Sequence, residues 1–89
     1  MPDRQIVEDQ QYTDQINRYR INWKRLDEAL MTLDPALRGS PELFPVVPGT
    51  KLHRLKLVGF PGVPPLSIFF TLSPTQIVLK TAELIDLEE

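Results

Sequence analysis

The stretch "KLHRLKLVGFPGVPPLSIFFTLSPTQIVLKTAEL", residues 51–84, decides the fold. Apolar and polar residues alternate through "KLHRLKLV", the period of a half-buried strand. "FPGV" then supplies Pro61 and Gly62, the pair a type II turn takes at its central positions. "LSIFFTL" is a second strand, "SPT" a second turn, and "QIVLKTAEL" a third strand. Three strands joined by links this short pair as an antiparallel meander.

Upstream the period changes. Tyr12, Ile16, Tyr19, Trp23, Leu26, Leu30 and Leu33 recur at alternating spacings of four and three, which is one helical stripe. Read as a single helix from about residue 9 to 33 it is about 37 Å long, against a radius of gyration near ~12 Å for a domain of this size. The stripe therefore either breaks into a hairpin or packs on a second chain as a homodimer. "RYRIN" offers the break, with Ile21 off the stripe and Asn22 able to cap a second helix, giving helices at 9–20 and 23–33. Pro35 in "LDP" is expected to stop the second helix, leaving Asp34 to cap a short turn through Arg38 that ends at Gly39.

"RQIVE" reads as a first strand and "GSPELFPVVPGT" as an irregular connector, with Phe44, Val46 and Val47 turned inward. The predicted order is β-α-α-β-β-β: an α+β fold with an N-terminal helical hairpin packed on a small antiparallel sheet. Residues 1–89 form one domain, with an acidic C-terminal tail at about 84–89.

Composition narrows the chemistry. The chain has no cysteine, which excludes disulfides, zinc–thiolate sites and thiol nucleophiles, and its one histidine excludes a multi-histidine metal site. No cofactor or metal is expected. No apolar run approaches the ~18 residues of a membrane span, and "MPDRQIVEDQQ" has no apolar core of a signal peptide, so a cytoplasmic protein with no membrane partner is expected. The net charge is −2 but unevenly spread. Residues 43–82 hold Lys51, Arg54, Lys56 and Lys80 with no acid, and Glu83, Asp86, Glu88 and Glu89 come directly after.

The run "DEALMTLDPALRGSPELFPVVPGTKLHRLKLVGFPGVPPLSIFFTLSPTQIVLKTAEL", with the strand and helix before it, resembles the RelE/ParE toxin superfamily: a helical hairpin, a connector to a basic strand, a turn, a second strand in "PLSIFF", and a closing strand. The resemblance covers roughly residues 4–83. It implies a small toxin neutralised by a cognate antitoxin, RelE-like members cutting messenger RNA on the ribosome and ParE-like members inhibiting DNA gyrase. It also implies basic residues on the strand after the helices, matched by Arg54 and Lys56. An arginine on the next strand is implied as well, where this chain has Ser67, and an arginine with a tyrosine or histidine near the C-terminus, for which only Lys80 remains.

Cleaving RNA takes a group to move protons and cations to stabilise the phosphate. Arg54 and Lys56 share one face of their strand and suit the electrostatic part. His53 is the side-chain type suited to proton transfer near neutral pH, but alternation sets it on the opposite face. Lys51 and Lys80 complete the candidate RNA- or partner-binding cations. Tyr12, Tyr19 and Trp23 are candidates for an antitoxin groove, or else ordinary core. The tail either finishes the last strand or competes with nucleic acid for the basic strand. Two functions stand side by side: a RelE-like toxin with an incomplete catalytic set, whose status as an enzyme is open, and a non-enzymatic interaction protein, either gyrase-directed and ParE-like or a degenerate toxin-fold member, with a homodimer built on the helical stripe as a further form.

Overall fold

In a computed structural model, which describes residues 4–59 and 61–85, the alternating segments pair as a meander of β2 (His53–Leu57), β3 (Leu66–Leu72) and β4 (Gln76–Leu84). β3 and β4 coincide with "LSIFFTL" and "QIVLKTAEL". Gly62 adopts φ +91°, the backbone a type II turn needs after Pro61. At the next turn Ser73 N–H donates to Gln76 O at 2.9 Å and Ser73 Oγ accepts from Gln76 N–H at 3.0 Å.

β1 (Gln5–Glu8) joins the other side of β4, in the strand order β1-β4-β3-β2. It runs parallel to β4, with Ile6 opposite Ile77. The sheet is therefore mixed, not wholly antiparallel as expected. The return to β4 passes through the rest of the chain, so no short link forces β1 to be antiparallel.

The helical stripe breaks, but into more pieces than expected. α1 (Gln10–Asn22) is followed by α2 (Leu26–Leu30) and α3 (Leu33–Gly39). Trp23 leaves helical geometry at φ −128°, ψ 97° while its N–H still donates to Tyr19 O. Asn22 ends α1 instead of capping a second helix. Pro35 does not stop a helix either: it sits in the first turn of α3, where a missing N–H removes no intrahelical bond. A 3-10 turn at Pro41–Leu43 leads to the connector.

The helices and one sheet face enclose a single apolar core. Tyr12 and Ile16 of α1, Leu26 and Ala29 of α2, and Leu33 and Leu37 of α3 meet Leu55, Ile68, Phe70, Ile77, Leu79 and Ala82 of the sheet. Phe70, Ile68 and Leu37 are fully buried, each worth about 1.5–3 kcal/mol relative to exposure. Strict alternation would not put Ile77, Leu79 and Ala82 on one face. It is achieved by a bulge: Phe69 faces Thr81 and Phe70 faces Leu79, so Lys80 is an extra residue on β4 that shifts the phase.

Candidate functional site

The second face of the sheet contributes no side chain to the core cluster or to the residues packed against it. Register builds it in rows. Lys56, Ser67 and Glu83 cross β2, β3 and β4 in one; Arg54, Phe69 and Thr81 form the next; Thr71, Val78 and Val7 form a third. The basic pair thus lies at the β2 margin of an otherwise uncharged or acidic surface, beside half-buried Phe69.

Arg54 is directed by its neighbour. Its Nε–H donates to Ser67 Oγ at 2.9 Å across the β2–β3 pair. That bond uses one of five guanidinium donors and leaves the terminal fork for a carboxylate or phosphate. No ion pair among the described residues includes Arg54 or Lys56, whereas Arg4, Arg20, Arg25, Arg38 and Lys80 each have a carboxylate within 4.0 Å. Ser67, at the position where the family resemblance implies an arginine, is only 4% exposed.

The connector returns along β2. Val46 bridges to His53, and Arg54 N–H donates to Pro45 O at 2.8 Å. Pro45, Val46, Val47 and Pro48 form with Arg54 and Phe69 a shallow groove of about 410 Å³. Sequence reading expected Phe44, Val46 and Val47 inward: Phe44 does pack against the core, but Val46 is exposed and Val47 only half-buried, both lining this groove instead. "PVVP" is its signal, since two prolines hold the segment extended and unable to complete a ladder.

The remaining candidates lie elsewhere. His53 projects to the core side, its ring stacked on Phe70 at 5.3 Å and 16°, with Nδ1 2.9 Å from Phe44 O. A carbonyl only accepts, so Nδ1 carries the hydrogen. The β2–β3 register is continuous, and no bulge re-aims His53 towards Arg54. Lys80 binds Asp9 Oδ2 at 2.9 Å where β1 passes into α1. Lys51 is exposed in the bend before β2. Tyr12 is 3% exposed inside the core, so it lines no groove of the folded chain; Tyr19 and Trp23 sit at the core's margin, their rings 5.8 Å apart, with Tyr19 Oη donating to Ala82 O at 3.3 Å. Of the tail, residues 84 and 85 are described, and Asp86, Glu88 and Glu89 lie outside the described residues.

At the β1–α1 junction Asp9 caps α1, its Oδ1 accepting from Gln11 N–H at 3.2 Å. The Lys80 hydrogen bond, then the Gln11 amide, hold the Asp9 carboxyl below the usual carboxylate range. No cluster of three His, Asp or Glu side chains among the described residues is placed to hold a metal ion. No described helix is long and apolar enough to cross a membrane. No protein-family model, curated protein or solved structure matches the chain.

Chemically, the face offers two cations, a guanidinium fork in fixed orientation and adjacent apolar surface. For proton transfer its basic rows offer Ser67, already engaged by Arg54, and Glu83, two strands from Lys56. Such a surface is suited to binding an anionic, partly apolar partner.

Proposed function

We propose that this chain is the toxin-type member of a cytoplasmic toxin–antitoxin pair and that it works by binding through its open sheet face. The antitoxin lays an acidic, amphipathic segment across Arg54, Lys56 and Phe69. One observation carries this reading: Arg54 and Lys56 have no ion-pair partner among the described residues, on the sheet face that the helices leave uncovered, with Arg54 directed by Ser67. The order of strand, helices, basic strand, turn and closing strands is the order the RelE/ParE resemblance implies, with an added short helix, and lends the toxin assignment support.

Binding is preferred to RNA cleavage because the one histidine is committed to Phe44 and Phe70 on the far side of β2. Inducible expression in a bacterium tests the reading, comparing wild type with an Arg54→Ala/Lys56→Ala double variant under messenger-RNA cleavage mapping. The expected result is growth arrest without cleavage, relieved by the double substitution and by an antitoxin. Cleavage that requires both residues would establish the ribonuclease instead, and absence of any arrest would remove the toxin assignment.

A further inference from the structure

β1 lies at the margin of the sheet, and its outer edge is unfinished. In a parallel ladder alternate residues give both their N–H and their C=O to one neighbour. Gln5 N–H donates to Thr75 O and Asp9 N–H to Leu79 O, each at 2.9 Å, so the odd-numbered residues serve β4. Arg4, Ile6 and Glu8 therefore turn their backbone groups away from the sheet. Among the described residues the only hydrogen bond to these groups is from Arg38 Nη1, 3.5 Å from Arg4 O and at the outer limit of such a bond.

A row of unpaired N–H and C=O groups is a template for another strand, and the side chains along it decide which strand fits. In "RQIVE" Arg4 and Glu8 stand equally far from Ile6, one on each side. All three project to the helical side of the sheet: Ile6 packs against the core, Arg4 Nη1 lies 3.8 Å from Glu42 of the 3-10 turn, and Glu8 Oε1 accepts from Thr13 Oγ1 of α1 at 2.8 Å. Arg4 Nε–H is held by Ser73 O at 2.9 Å, which leaves the terminal nitrogens for a carboxylate. Glu8 has no ion pair among the described residues.

The pattern is self-complementary. A second β1 laid antiparallel about Ile6 brings its Glu8 opposite Arg4 and its Arg4 opposite Glu8, with the two Ile6 side chains between. The facing positions are all even-numbered, those whose backbone groups point outward, and can exchange both hydrogen bonds at a Cα separation of about 5.5 Å. Sliding the copies by two residues sets a charge against Ile6, and by four it sets Arg4 on Arg4 or Glu8 on Glu8. Only the register centred on Ile6 pairs the charges, and like charges directly opposite are destabilising.

We propose that the chain self-associates through this edge, two copies of β1 pairing antiparallel about Ile6 so that two four-stranded sheets become one. The interface is isologous, and its two-fold axis stands across the sheet, so both open faces lie on the same side. It does not use the helical stripe, whose Tyr12, Ile16, Leu26 and Leu33 are buried in the core. A strand this short buries less than a standard interface, and the dimer is expected to be weak, with Kd on the order of 100 µM. Self-association does not depend on the binding function proposed for the open face.

Amide hydrogen exchange of the wild-type chain at about 50 µM and about 1 mM reads the edge directly. In dilute solution Val7 and Asp9 are expected to be protected and Ile6 and Glu8 not; at the higher concentration exchange at Ile6 and Glu8 should slow by about threefold. Arg4→Glu and Glu8→Arg should each weaken the dimer at least about tenfold in sedimentation equilibrium, because both facing pairs become repulsive. An equimolar mixture of the two variants should recover it, since every facing pair is then again of opposite charge. A wild-type chain that stays monomeric at about 1 mM overturns the proposal, as does association that neither reversal weakens, or protection that rises at Lys56 or along the helical stripe instead of at Ile6. A mixture that fails to recover the dimer, when both variants keep the wild-type amide pattern of β3 and β4, overturns it as well. Should either variant not fold, the concentration dependence at Ile6 and Glu8 of the wild type decides by itself.

Discussion

Arg54 on β2 donates to Ser67 Oγ on β3 at 2.9 Å, and this cross-strand bond fixes the direction of a cation that has no carboxylate partner among the described residues. A long side chain held by one neutral bond loses less freedom when it meets an anion than one that swings in water. The serine at the position expected for an arginine is thus a positioning group for the cation beside it.

Ser67→Ala is accordingly expected to weaken poly-L-glutamate binding by about two- to five-fold while costing less than about 1 kcal/mol of stability, because half-buried Arg54 Nε can turn to water. Arg54→Ala should weaken binding more and flatten its dependence on salt. Titrations at two ionic strengths decide this; equal affinity for wild type and Ser67→Ala would show that Ser67 does not position Arg54.

His53 gives the opposite pattern. Its ring packs on Phe70 and its Nδ1–H reaches Phe44 O, both on the core side. His53→Ala is expected to lower unfolding free energy by about 2 kcal/mol and His53→Phe, which keeps the stacking, by about 1 kcal/mol. Neither should alter anion binding at Arg54. A loss of growth arrest in a His53→Phe variant that remains folded would return His53 to the functional site.

Gly59 is required by close approach. A Cβ there would lie 2.7 Å from Pro65 N and 2.7 Å from Val63 O, and both are backbone atoms. Neither can rotate aside, so Gly59→Ala must shift the turn between β2 and β3. We expect a loss of about 1–3 kcal/mol, read from urea midpoints, with amide shifts concentrated at Val63 and Leu66. A midpoint equal to wild type would mean that the turn yields at little cost.

How much of the molecule was legible in its sequence depends on where each signal resides. β3 and β4 were legible to the residue, because apolar runs between Pro, Gly and Ser turns are local signals. The parallel pairing of β1 with β4 was not, since "QIVE" says nothing about the direction of a strand some 70 residues away. Pro35 misled because the same residue ends a helix from behind and begins one from within. The bulge at Lys80 left a trace in hindsight: the buried positions 77 and 79 are out of phase with 82, and only an extra residue reconciles them. For the site, Arg54 and Lys56 were legible as a pair from alternation alone. The Ser67 bond, the "PVVP" groove and the engagement of Lys80 by Asp9 depend on neighbours distant in sequence.

The Asp9–Lys80 contact ties the start of α1 to the bulge of β4. The Asp9 carboxyl is held below its ordinary range in the folded chain, by the Lys80 hydrogen bond first and the Gln11 amide second. Its contribution is therefore present above the ordinary carboxylate pKa and is lost as pH falls through the lowered value. Asp9→Asn, which keeps a capping oxygen but no charge, should melt below wild type at neutral pH and approach it in acid. Parallel melting curves across that range would separate the cap from the ion pair and leave the ion pair without effect.

Tyr12 gives the alkaline counterpart. Burial, reinforced by the nearby Glu8 carboxylate and partly opposed by Arg20, pushes its hydroxyl from 10.0 up to about 12. Below the unfolded value the tyrosine is neutral in both states and its contribution is fully present. As pH rises from there through the folded value, the unfolded chain gives up a proton that the folded chain retains, and stability falls by about 1.4 kcal/mol per pH unit. The loss attributable to Tyr12 reaches about 2–3 kcal/mol over that interval. Tyr12 Oη has no hydrogen-bond partner among the described residues and is not a buried unsatisfied atom, so Tyr12→Phe should fold with near wild-type stability at neutral pH. Urea midpoints at about pH 9 and about pH 11 should then diverge, steep for wild type and shallow for Tyr12→Phe; the same decline in both proteins would assign the alkaline transition to the lysines and not to the core tyrosine.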